Sequence, residues 1–234
     1  AALLFGIGGI LLHWSIRWFG AVGLLSVLLV LNVGLGFLDL DLQRAESTKT
    51  IATALDRDGL HGEVIFSDWD AFARTDLVSY PDLANERTLF VDGGSGSSVF
   101  RVEGGIESLA YLRNDLGYVP FRWLEPDTVF IIGPGGGKDI ALALLGQAQS
   151  ITAVEINPGI VRALDSISDY NGNLHRDPAV ELHIGEGRSF LRSQSRTWDL
   201  IYLSLVANEA ADMSSLALSE NYVYTQEAFL DYLA

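Results

Sequence analysis

Val129-Phe130-Ile131-Ile132-Gly133-Pro134-Gly135-Gly136-Gly137-Lys138-Asp139 is the stretch on which the fold turns. An apolar run of strand length breaks into glycines, and a helical pattern follows at once with Ile140, Ala141, Leu144 and Leu145. A second apolar run, Ile151 to Ile156, carries Glu155 near its end. Strand, glycine turn, helix, strand and acid is the order in which an α/β sheet builds a nucleoside crevice at the carboxyl ends of its strands. Glycine lets the backbone approach a ligand and take φ > 0, and an acid about 20 residues on can meet both hydroxyls of a ribose.

Spacing narrows the ligand. A dinucleotide turn needs G-x-G-x-x-G, and the position of its third glycine is Lys138. A phosphate loop needs G-x-x-x-x-G-K-[ST]; Gly133 to Lys138 is too short for it, and Asp139 stands where the hydroxyl would be. Gly133, Gly135 and Gly137 give G-x-G-x-G, the form of S-adenosylmethionine sites. The plain alternative is a tight strand-to-helix turn with no ligand.

Working outward, the 234 residues are 49% hydrophobic with a formal charge of −15. That suffices for one domain with extra elements. No Lys/Arg cluster offers phosphates a surface, so a nucleic-acid partner is excluded, whereas an acidic cleft would attract a cationic substrate. Cysteine is absent, which removes thiol catalysis, disulfides and thiolate metal sites. His13, His61, His175 and His183 lack metal-ligand spacing, so no metal is expected, and His183 reads as structural.

Trp18 to Leu38 is almost wholly apolar, and about 20 such residues cross a bilayer core. The reading is a membrane segment over 1–39 with its last span at 18–38. Ala1 to Leu12 then reads as the tail of a preceding span, and the lack of an initiating Met as a piece of a longer membrane protein. A linker over 40–50 is expected next. A small β-rich domain over 51–121 follows from the runs Gly62 to Phe66, Thr88 to Val91 and Ser98 to Val102, and Ile106 to Leu116 has helical spacing. The segment 122–234 reads as a Rossmann-like adenosyl-binding domain, incomplete at its end. Within it Pro158 to Asp169 reads as a helix, Val180 to Ile184 and Trp198 to Leu205 as strands, and a last helix starts near Thr225. Glu186 and Gly187 follow the third strand. Glu186 either reaches the adenine amino group or is an acid favoured by a helix N-terminus. Ser204 ends the fourth strand, where transfer chemistry would occur; Asp199 lies at the wrong end and reads as structural.

The glycine turn, Val154-Glu155-Ile156-Asn157-Pro158, Gly185-Glu186-Gly187-Arg188 and Trp198-Asp199-Leu200-Ile201 resemble spermidine synthases, as does Val91-Asp92-Gly93 in the small domain. With the membrane segment, Ser204-Leu205-Val206 and Ser219 to Thr225, the chain resembles the membrane-fused spermidine synthase-like proteins of bacteria. The resemblance implies an α/β, Rossmann-like class I methyltransferase sheet behind a small β-rich domain and a transmembrane helix. It implies a transferase using S-adenosylmethionine or decarboxylated S-adenosylmethionine, held by Gly133, Gly135, Gly136, Gly137, Glu155, Ile156, Glu186 and Gly187. The acceptor would be a polyamine or another small amine, with the membrane and a second copy of the chain as further partners. The location implied is the bacterial inner membrane with the domain in the cytosol, where adenosyl cofactors are found, although Arg17 votes weakly for the opposite topology.

Three positions depart from the family. Gly136 stands where an Asp holds the cofactor's amine, Ser204 where an Asp is the base, and Ala207 where a second Asp follows. Glu209, Asp212 and Glu220 are candidate replacements, with Tyr222 and Tyr224 as a wall for a cationic ligand; Glu220 and Tyr222 rank first. A catalytically silent nucleoside-sensing domain of a membrane protein remains the alternative, and a dinucleotide oxidoreductase is disfavoured by the glycine spacing.

Overall fold

The computed structural model describes residues 16–35, 49–55, 61–81, 83–204 and 222–234. The chain divides into two compact units, Ala1–Ala45 and Glu46–Ala234.

In the first unit, α1 (Ile16–Leu35) is a helix with apolar side chains such as Leu24, Leu25 and Val30 exposed. Among the described residues no helix is long and apolar enough to cross a membrane. This corrects the span expected at 18–38, of which 36–38 lie outside the described residues. The transmembrane part of the fold class, the membrane-fused likeness, the membrane as partner, the membrane anchoring of the transferase and the inner-membrane location all rested on that span and go with it. Length and apolarity of a sequence run were the whole argument for it, and they do not specify a spanning helix.

The second unit begins with α2 (Thr50–Leu55) and an antiparallel meander: β1 (Glu63–Trp69), β2 (Arg74–Ser79), β3 (Glu86–Val91) and β4 (Gly94–Phe100). β2 was missing from the sequence reading, because Asp76 interrupts its apolar pattern. Asp76 is fully buried, and the Arg74 guanidinium donates to both of its carboxylate oxygens at 3.0 and 2.9 Å. A buried carboxylate whose two oxygens share one guanidinium Nε–H is tolerated where an unpaired one would not be.

Two 3-10 stretches, Ile106–Asn114 and Leu116–Tyr118, and α3 (Val119–Leu124) lead to the second sheet. The first of them is where helical spacing was expected. The sheet is parallel, in the order β7 (Val180–Ile184), β6 (Ser150–Glu155), β5 (Thr128–Ile132), β8 (Leu200–Tyr202). Right-handed crossovers produce this order, with the first strand central and a switch point between β5 and β8. The connecting helices are α4 (Lys138–Leu145), α5 (Pro158–Asp165), α6 (Ser168–Asn171) and α7 (Gly187–Arg192); α8 (Gln226–Tyr232) ends the chain.

β5 is buried on both faces. Val129 and Ile131 pack with Ile140 and Ala141 of α4, while Phe130 and Ile132 pack with Leu191 of α7. Opposite faces of one strand thus meet helices from opposite sides, so the run reads as continuously apolar. The meander packs on α5: Leu77, Leu89 and Val99 meet Ile160, Ala163 and Leu164. Each such buried side chain contributes about 1.5–3 kcal/mol. That contact lays the meander across the carboxyl end of the parallel sheet.

Candidate functional site

The glycine turn links β5 to α4. Gly133, Gly135 and Gly137 have φ of 68°, 52° and 96°, a region other residues enter at a cost of about 1–2 kcal/mol. Gly136 is a glycine for a different reason. A Cβ there would run into the Ser98 carbonyl of β4, and its amide donates to Ser97 Oγ at 2.8 Å. The meander therefore rests on the turn at the position where the sequence resemblance implied an Asp. On that covered side a cavity of about 10 Å³, lined by Phe100, Gly136, Gly137 and His175 among others, has room for about one water.

Gly137 is buried in that lining. Toward the ends of β6 and β7 the surface is more open: a Cβ added at Gly185 meets nothing within 4 Å, and Ile156 and Ile184 are exposed. Glu155, at the end of β6, is 4% exposed. Its Oε2 accepts the Gly135 amide at 3.2 Å and its Oε1 the Asn157 amide at 2.9 Å. Burial pushes its carboxyl up, and the amides of Asn157, Gly135 and Ile156 offset part of that. One acid thus braces the turn and the start of α5 together. Asn157 caps α5 by accepting from the Gly159 amide at 2.8 Å and donates to Thr75 Oγ1 at 3.1 Å.

Glu186 caps α7, accepting the amides of Arg188 at 2.9 Å and Ser189 at 2.8 Å. Burial raises its carboxyl, but hydrogen bonds from Ser189 and Arg188 outweigh it and the net shift is downward. Gly187 is buried, and a Cβ there would meet Ile132 Cγ2 at 2.5 Å. Its role is to let α7 lie close on β5.

Ser204, exposed just past β8, donates its hydroxyl to Asp139 Oδ2 at 2.7 Å. Asp139, in the first turn of α4, is 3% exposed. The sequence reading used it only to exclude a phosphate loop. The one available signal was an acid inside an otherwise buried run, Lys138 to Leu145, and it is shared by ordinary helix N-termini. Lys138 does not stand free, since its Nζ lies 2.7 Å from Asp115 Oδ2. Asp199 ties the starts of β8 and β5, its Oδ2 accepting both the amide and the hydroxyl of Thr128 at 2.8 Å. Ala207, Glu209, Asp212 and Glu220 lie outside the described residues. Tyr222 opens a 3-10 turn, Tyr222–Tyr224, with its side chain outside the description.

A glycine turn at a parallel-sheet switch point, with a braced acid on the next strand, is the architecture of nucleoside-binding α/β folds. No protein-family model matches the chain. A polyamine aminopropyltransferase of Korarchaeum cryptofilum (strain OPF8) is 30% identical over 82 residues, 35% of this chain and 26% of that protein. The chain thus spans about a quarter of the length of that curated relative. The spermidine synthase of Thermotoga maritima superposes with a TM-score of 0.51 at 18% identity, over 74% of this chain and 53% of its own. A probable spermidine synthase from Corynebacterium glutamicum gives 0.52 at 14%, over 72% and 59%. A spermidine synthase in complex with the transition state analogue AdoDATO gives 0.50 at 18%, over 74% and 52%. The fold is spermidine synthase-like: an α/β Rossmann-like sheet with flanking β-strands.

Proposed function

We propose that this chain binds an adenosyl sulfonium compound, S-adenosylmethionine or its decarboxylated form, and transfers an alkyl group from it to a small amine. The observation that carries the reading is Glu155, held at the end of β6 and bonded to the Gly135 amide of the glycine turn, with the exposed Ile156 beside it. A cradle without side chains next to one oriented carboxylate fits a ribose and its base better than a phosphate, which a buried acid would repel.

In this reading the backbone from Gly133 to Gly137 lines the ligand and Glu155 accepts from the ribose hydroxyls with the lone pairs its amide partners leave free. The exposed Ile156 covers one face of the adenine. Glu186, positioned by the close packing of Gly187, accepts from the adenine amino group at the rim. When bound, the sulfonium supplies an electrophilic carbon and a neutral thioether leaving group. Gly136 offers no carboxylate to an aminopropyl group, so the two donors differ in what they lack here. The amine acceptor is supported by the 82-residue likeness to a polyamine aminopropyltransferase. The domain boundaries at 40–50, 51–121 and 122–234 and a second copy as partner stand as proposals alongside.

Calorimetric titration with S-adenosylmethionine, its decarboxylated form and NAD tests the reading. Heat from at least one adenosyl sulfonium and none from NAD is expected, and no heat from either sulfonium overturns it. Adding 1,4-diaminobutane with labelled donor then separates a transferase from a silent binding domain, which would bind and transfer nothing.

A further inference from the structure

The proposed cradle leaves unused a polar cluster beneath the end of β8. β5 and β8 are parallel neighbours, with Val129 beside Leu200 and Ile131 beside Tyr202. The residues leaving the two strands therefore meet at the switch point, Asp139 at the start of α4 and Ser204 just past β8. The carboxyl is buried and the hydroxyl exposed, and 2.7 Å joins them. Around Asp139, Lys138 is paired with Asp115, and Tyr202 donates its hydroxyl to the Gly117 carbonyl at 3.0 Å. Asp139 is thus a buried acid bonded to a hydroxyl, while the adjacent ammonium is directed to another carboxylate.

Resting on the transferase reading above, we infer that Asp139 is the proton acceptor for the incoming amine and that Ser204 is the exposed hydroxyl through which the proton reaches it. The new bond joins the acceptor nitrogen to the donor carbon, and the carbon–sulfur bond breaks with its electron pair left on sulfur. The nitrogen's proton passes to Ser204 Oγ as the Ser204 proton moves to Asp139 Oδ2, which ends as a neutral acid. Burial pushes the Asp139 carboxyl up to about 6; the Ser204 hydroxyl and Lys138 pull it down and Asp115 pushes it up. A base in that range is ionised at neutral pH and still takes a proton readily. An acid from α4 thereby answers for the Asp that the family places at position 204, although the two positions are 65 residues apart.

The test uses Asp139→Asn, Ser204→Ala and Ser204→Thr in the whole chain, each checked for a folded circular-dichroism spectrum. Without any donor present, carbonyl-carbon NMR of labelled Asp should show one carboxyl titrating near 6, absent in Asp139→Asn and shifted upward in Ser204→Ala. In transfer to 1,4-diaminobutane, Asp139→Asn and Ser204→Ala should each lose about 10²–10⁴-fold in kcat, with sulfonium affinity retained and Ser204→Thr restoring the rate. A titration unmoved by Ser204→Ala, or transfer at the wild-type rate in both variants, overturns the relay while the transferase reading stands. A wild-type chain that alkylates no amine overturns the transferase reading and takes the relay's task with it, even if the titration is as expected.

Discussion

The crevice has two halves, and they are built differently. On the β5–β6 side, Gly133 to Gly137 and Glu155 answer one another over a short stretch of chain, with backbone amides bonded to one acid. On the β5–β8 side, Asp139 and Ser204 come from elements 65 residues apart. The two departures noted in the sequence fall one in each half, Gly136 in the first and Ser204 in the second. The proposed binding residues are neighbours along the chain, whereas the proposed proton relay depends on tertiary placement.

Gly136→Asp should break the comparison hardest. It drives a Cβ into the Ser98 backbone and buries a carboxylate, and the expected loss is about 3 kcal/mol or more in urea unfolding. Gly185→Ala, on the open half, should stay within about 0.5 kcal/mol. Equal stabilities would mean that β4 does not hold the turn.

Asp139→Asn should show a pH signature. Burial holds the folded carboxyl near 6, above its ordinary value of 3.8, so the folded chain keeps its proton where the unfolded chain has lost it. Stability from this group is full below about pH 4 and declines as pH rises through about 6. The variant should be more stable than wild type by up to about 3 kcal/mol at pH 8 and converge with it at pH 3. A constant offset between the two denaturation curves across pH would rule out the buried, raised carboxyl.

Smaller effects belong to the binding half. Glu155→Ala should weaken adenosyl binding by about 1–3 kcal/mol in calorimetry; undiminished affinity would reduce Glu155 to a brace for the turn. Glu186→Ala should cost about 1 kcal/mol of thermal stability through loss of the α7 cap, and an unchanged melting temperature would contradict the capping geometry.

The same division explains what could be read from the sequence. The strand, turn, helix and acid from Val129 to Glu155 were legible because their periodicity and glycines act over one βαβ unit. The open question at Glu186 turned on side-chain geometry: Glu186 caps its own helix, a contact the sequence allowed but could not select. β2 was hidden because its buried Asp76 reads as a surface residue until Arg74 is seen beside it. The Asp139–Ser204 pair was invisible because no spacing rule connects two residues that meet only when β5 and β8 pair. The expected membrane span came from composition alone, with no contact to test it.

The carbonyl of Ser98 above Gly136 has a consequence for how this chain can change. The obstruction is main chain, so no side-chain choice at position 98 relieves it. An aspartate here would require β4 to shift bodily, with the Leu77, Leu89 and Val99 packing on α5 shifting too. The glycine is therefore dictated by the strand lying over it as much as by the turn to which it belongs.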